Sequence, residues 1–301
     1  MHHINPVYKR ELKQTARMKK TLVMILVYNL LLACFGLLVF YLMFDRDGRI
    51  SNRMEYSGIL TLYTVMSVLE FGMVLLIVPA VTAGAVAGER EKQTLDILLS
   101  TKVSPLQIVI GKLAASISMV ILLAVSSLPV LAIVFSIGGI TLFDMTNFLI
   151  FIIVTAIYIG SFGIFFSVCC KRVTVATVCS YSTMIVLVIL LPILLYAVEF
   201  AEVFRQTGYS SFDTLSECIS GKRALLLLFN PPVSFISVMK NQSGGGGNVM
   251  SSIGSEGEVL YFLSKHWDVA SLLCQLLLAI ILTGISAHKL NPLAKNTRTI
   301  K

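Results

Sequence analysis

The chain has 301 residues, of which 56 % are apolar and only 13 % charged, about half the ~25 % charged fraction of ordinary soluble domains. Its mean hydropathy is +0.85, more hydrocarbon than a soluble core of this length can hide, which excludes an ordinary soluble enzyme, a disordered chain and a secreted disulfide scaffold. The formal net charge of +8 would suit a nucleic-acid binder, but the basic residues fall in the pattern of membrane-protein loops.

At the N-terminus, Asn5 at the N-cap and Pro6 at the first helical position predict a helix over 5–20. Tyr8 and Leu12 share one face with Thr15 or Ala16, and Lys9, Lys13, Arg17 and Lys20 hold the rest. That is a basic amphipathic helix for a membrane surface, or simply a basic flank that sets topology. Six basic residues precede the first apolar run, which is too long for a cleavable signal.

Six runs reach the ~20 residues that a bilayer-crossing helix needs: Leu22–Phe44, Ser57–Val86, Leu106–Ile137, Phe148–Cys170, Val173–Phe200 and Val269–Ala287. Pro79, Pro129 and Pro192 are expected to kink the second, third and fifth. With both termini inside, the inner segments carry sixteen Lys and Arg against four acids, and the outer segments eight against eleven. The positive-inside rule therefore fixes the orientation and accounts for the basic excess without nucleic acid.

Within the second run Glu70 is a deeply placed acid. It reads either as a translocation-pathway group or as a protonated or hydrogen-bonded carboxyl tied to Tyr63, Ser67 or a neighbouring helix. Ala80, Gly84 and Gly88 form a small-residue stripe for close helix packing, and Ala156 with Gly160 repeats it weakly. The outer loop 201–268 holds a flexible Ser243–Gly247 linker and an apolar stretch, 222–240, broken by Asn230-Pro231-Pro232. A re-entrant segment fits better than a seventh span, which would put the basic tail outside. The six cysteines show no metal-type spacing, and no metal is expected.

Residues 88–104, between the second and third runs, are the most distinctive. Leu95, Leu98 and Leu99 make an i, i+3, i+4 apolar edge. Ser104-Pro105-Leu106-Gln107 then opens the third run with an S-x-x-Q box and Pro at the first helical position. Glu89, Glu91, Thr94, Leu95, Asp96, Leu98, Leu99, Ser100, Thr101, Val103 and Ser104, followed by Gly111-Lys112-Leu113, resemble the coupling region of the ABC type-2 permease family, E-x-E-x-G-T-L-E-x-L-L-[ST]-T-P-[VL]-S and then G-K-L. The chain departs at Gln93, where the family favours Gly, and at Lys102, where it favours Pro.

The resemblance implies an all-α polytopic membrane protein. It would have six transmembrane helices, an N-terminal amphipathic helix, a cytoplasmic coupling helix and a re-entrant segment before the last span. It implies that Glu89, Glu91, Thr94, Leu95, Asp96, Leu98 and Leu99 contact a separate ATPase subunit, with a second contact at Lys171-Arg172. Asn230, Pro231 and Pro232 would belong to an outer gate, and two permease copies, alike or different, would enclose the pathway. No G-x-x-x-x-G-K-[ST] loop is present, so ATP and Mg are expected on the partner and no catalysis on this chain. The expected location is the cell membrane, among lipid, with both termini cytoplasmic. An ion-coupled secondary transporter and a non-transporting partner of an ATPase are the alternatives.

Overall fold

The computed structural model describes residues 6–17, 19–46, 56–95, 100, 103–137, 141–207, 223, 225–242, 262–263 and 265–290. Its helices are α1 (Pro6–Arg17), α2 (Lys19–Arg46), α3 (Tyr56–Glu91), α4 (Pro105–Ile137), α5 (Leu142–Cys169), α6 (Val173–Ile185), α7 (Leu191–Thr207), α8 (Pro231–Gln242) and α9 (Trp267–Leu290). A π-helical turn, Val186–Leu190, lies between α6 and α7, and a 3-10 turn, Leu225–Phe229, precedes α8. Among the described residues, six stretches are long and apolar enough to cross a bilayer: Thr21–Leu42, Leu62–Glu91, Pro105–Pro129, Leu142–Cys169, Val173–Val198 and Trp267–Leu290. The all-helical, six-span architecture expected from the apolar runs is therefore present.

α5 starts six residues before the apolar run that predicts it. Thr141 and Asp144 explain the extension: the Asp144 N–H donates to Thr141 Oγ1 at 3.3 Å and the Thr141 N–H to Asp144 Oδ2 at 3.0 Å. This capping box satisfies two donors that an uncapped helix would strand.

The chain divides into two compact units, Met1–Val178 with Ala279–Lys301, and Cys179–Leu278. In the first, α3, α4 and α5 bury one another. Phe71 and Phe151 stack obliquely across α3 and α5, with ring centroids 5.7 Å apart. Lipid is as apolar as leucine, so close packing and small residues, more than apolar burial, hold such helices together. Gly84 and Gly88 show the expected use, because a side chain on either would reach Val173 at 3.7 Å.

Among the described glycines the tightest approach is at Gly163, outside both small-residue stripes. A Cβ on Gly163 of α5 would lie 2.8 Å from Thr82 Cβ of α3 and against Thr82 Oγ1. Four residues along α5, Ser167 Oγ accepts from the Val86 and Ala87 N–H groups at 2.9 Å each. Gly163→Ala is expected to push α5 off α3 and cost about 2 kcal/mol, the range of core overpacking. A thermal-unfolding midpoint equal to wild type in detergent would refute that.

Within the second unit, Leu195, Leu227, Leu228 and Trp267 form the core, joined by Leu191, Val233 and Cys274.

Candidate functional site

Three consecutive residues at the end of α3 each reach a different helix. Glu89 Oε1 pairs with Lys112 Nζ of α4 at 2.9 Å, and Glu11 Oε1 of α1 pairs with the same ammonium at 3.2 Å. Lys112 is only 4 % exposed, so its charge is held by those two carboxylates rather than by water. Arg90 Nη1 donates to the carbonyls of Val168 at 3.0 Å and Cys170 at 2.6 Å, closing the C-terminal end of α5 where orphan carbonyls and the helix dipole favour a cation. Glu91 Oε1 accepts from the Val173 N–H at 2.7 Å, at the N-terminus of α6, where the dipole favours an anion.

The chain then turns sharply. The Thr94 N–H donates to the Glu89 carbonyl at 2.9 Å and the Gln93 N–H to the Arg90 carbonyl at 3.1 Å, the paired bonds of a Schellman motif. Its pivot, Gln93, has φ of 56°, a left-handed conformation that a side chain opposes and glycine adopts freely. The difference from Gly noted at this position thus falls where the backbone needs Gly. Gln93→Gly is expected to gain about 0.5–1 kcal/mol by removing that strain, read as a higher unfolding midpoint; a lower midpoint would contradict the motif.

Leu95 turns inward. It is buried among Val7, Val86, Ile108 and Val109, with Ala287 and Leu290 of α9 in the same core. The apolar edge read in the sequence therefore begins by docking on the chain's own helix ends. Thr94 is exposed, and its hydroxyl donates to the Glu89 carbonyl at 3.2 Å. Asp96, Leu98 and Leu99 lie outside the described residues. Ser104 and Gln107 form the expected box: the Gln107 N–H donates to Ser104 Oγ at 3.3 Å and the Ser104 N–H to Gln107 Oε1 at 3.2 Å. Lys171 and Arg172 are exposed and adjoin the Val173 N–H that Glu91 holds. The two loops picked out separately in the sequence are thus tied together by Glu91.

α1 packs on α4 through buried Val7 and through the Tyr8 hydroxyl, 3.0 Å from Ser118 Oγ. Leu12, expected on the same face as Tyr8, is 41 % exposed, because the Glu11–Lys112 pair sets the rotation of the helix.

Residues 5–289 match the family model described as ABC-2 family transporter protein. The chain belongs to that family. It is accordingly a multi-pass membrane protein of the permease type. No curated protein matches the chain.

The other two candidate positions of this ABC-2 protein lie elsewhere. Glu70 is fully buried. Its Oε1 accepts from the Ser127 hydroxyl of α4 at 2.7 Å. The buried Tyr28 hydroxyl of α2 faces Glu70 and Ser127. The structure thus ties Glu70 to a neighbouring helix through Ser127, a partner that hydropathy does not reveal.

Asn230 sits between the 3-10 turn and α8, inside the second unit. Its Nδ2 donates to the Leu187 carbonyl of the π turn at 2.7 Å and reaches that of Val188 at 3.4 Å, while its Oδ1 accepts from the Val233 N–H at 3.3 Å. Pro231 and Pro232, lacking N–H groups, fill the first turn of α8 where no partner is needed. Gln275 of α9, unnoticed in the sequence, donates from Nε2 to Ser234 Oγ at 3.1 Å and to the Leu228 carbonyl at 3.4 Å. The segment breaks at Asn230, as its sequence predicts. Asn230→Leu would strand the Leu187 carbonyl and is expected to cost about 2 kcal/mol. Hydrogen exchange over 186–190 checks this, and unchanged protection there would contradict the role given to the amide.

Proposed function

We propose that this chain is the membrane subunit of an ATP-driven exporter, driven by a separate ABC ATPase that docks at the end of α3 and at Lys171-Arg172. The observation supporting this is the triple tie: Glu89, Arg90 and Glu91 bind the ends of α4, α5 and α6. A push on the turn after α3 therefore reaches four spanning helices and, through Glu11, the helix α1. A docking point must distribute force in this way if nucleotide binding is to select between two arrangements of the spans.

In this reading Asp96, Leu98 and Leu99 face the ATPase, Thr94 flanks them, and Leu95 anchors the turn. ATP and Mg bind the partner, not this chain. Two copies, identical or paired with a related permease, enclose the pathway in the cell membrane, with both termini cytoplasmic. The segment 222–240 re-enters from the outer side, and Asn230, Pro231 and Pro232 take part in the outer gate. Glu70 reaches the pathway when α2 shifts off α3.

Vesicles holding the chain with and without an ABC ATPase test the drive. Hydrolysis by the ATPase is expected to change at least severalfold when the chain is present. An ATPase indifferent to the chain, together with cargo movement driven by an ion gradient alone, would overturn the reading.

A further inference from the structure

Between α2 and α3 runs an open groove of about 620 Å³. Lys19, Val23, Val27 and Leu31 line one wall, Met73 and Ile77 the other, and the ring of Tyr28 forms part of the lining. Three features define its occupant. The first is length: from Lys19 to Leu31 a helix rises about 18 Å, close to the ~15 Å of hydrocarbon in one leaflet. The second is chemistry: below Lys19 every residue named presents hydrocarbon, thioether or an aromatic ring. The third is charge: exposed Lys19 opens α2, and exposed Lys9, Arg10 and Lys13 of α1 precede it in the chain.

We infer that this groove binds one anionic phospholipid, an acyl chain lying along Val23, Val27 and Leu31 and the headgroup phosphate meeting Lys19. A second copy's apolar helix could fill the hydrocarbon but would leave the ammonium opposite nothing. A zwitterionic lipid would fill it with weaker attraction, since basic groups at a membrane surface favour net negative headgroups. The inference rests on the membrane location alone and is independent of ATP coupling.

The full chain, purified in mild detergent, is mixed with phosphatidylglycerol or phosphatidylcholine of identical acyl chains, and retained lipid is counted by native mass spectrometry. Wild type is expected to hold one phosphatidylglycerol per chain, at least tenfold in preference to phosphatidylcholine. Lys19→Gln is expected to bring the two lipids within threefold while still holding one. Val27→Trp, which fills the groove, is expected to hold neither. Leu37→Trp, on the exposed face of α2 outside the groove, controls for folding and is expected to match wild type. Equal retention of both lipids by wild type, undiminished retention by Val27→Trp, or equal loss in the two tryptophan variants would overturn the inference. So would cross-linking of Val27→Cys between two copies with no lipid retained by wild type.

Discussion

Lys112→Met is expected to destabilise the protein by about 3 kcal/mol and to free α1 from α4. The ammonium is 4 % exposed and lies within 3.2 Å of Glu11 and Glu89. Removing it leaves two carboxylates facing each other without a counter-charge. Breaking a buried pair in this way costs about 3–5 kcal/mol, and the lower end applies because Glu11 and Glu89 are 32 % and 23 % exposed. The cost comes from the uncompensated acids, not from the lost lysine. Adding Glu11→Gln and Glu89→Gln to Lys112→Met is therefore expected to restore most of the stability. Hydrogen exchange over 6–17 reads the detachment of α1. A single variant as stable as wild type, or a triple variant no better than the single, would contradict the assignment.

Leu98→Asp is expected to abolish stable association with the ATPase while leaving insertion intact. Leu98 follows by three residues Leu95, which is held in the core, and in the proposed reading it faces the ATPase. An apolar side chain at the centre of an interface contributes about 2–4 kcal/mol, so placing a carboxylate there weakens binding by a hundredfold or more. The variant should reach the membrane at wild-type levels and co-purify with at least tenfold less ATPase. Undiminished co-purification would show that the edge faces elsewhere. Lys112→Met weakens the scaffold, whereas Leu98→Asp spares it, so the two together separate folding from docking.

Most of the architecture was legible. Apolar runs report helices long enough to span a bilayer, and Ser104 with Gln107 and Asn230 with Pro231 mark helix starts through chemistry local to the sequence. Thr141 and Asp144 carry the same kind of signal ahead of α5, outside the apolar run that predicts the helix. Long-range partners were not legible. Arg90 and Glu91 read as loop charges, and nothing in their spacing says that they close the ends of α5 and α6. Leu95 reads as part of an apolar edge, and pattern gives a face but not what covers it. Ser127, Ser167 and Gln275 sit in apolar runs where hydropathy averages them away, yet each makes a contact between helices. The Gln-for-Gly difference at 93 is legible as a departure, and only the backbone angle shows what it costs.

The docking claim is tested most directly by hydrogen exchange on the full chain with and without its bound ATPase, read over residues 89–104 and 171–172. Exchange in both segments is predicted to slow at least tenfold on binding, while residues 201–268 are unaffected. Unchanged exchange in both segments, with the ATPase demonstrably bound, would contradict the account.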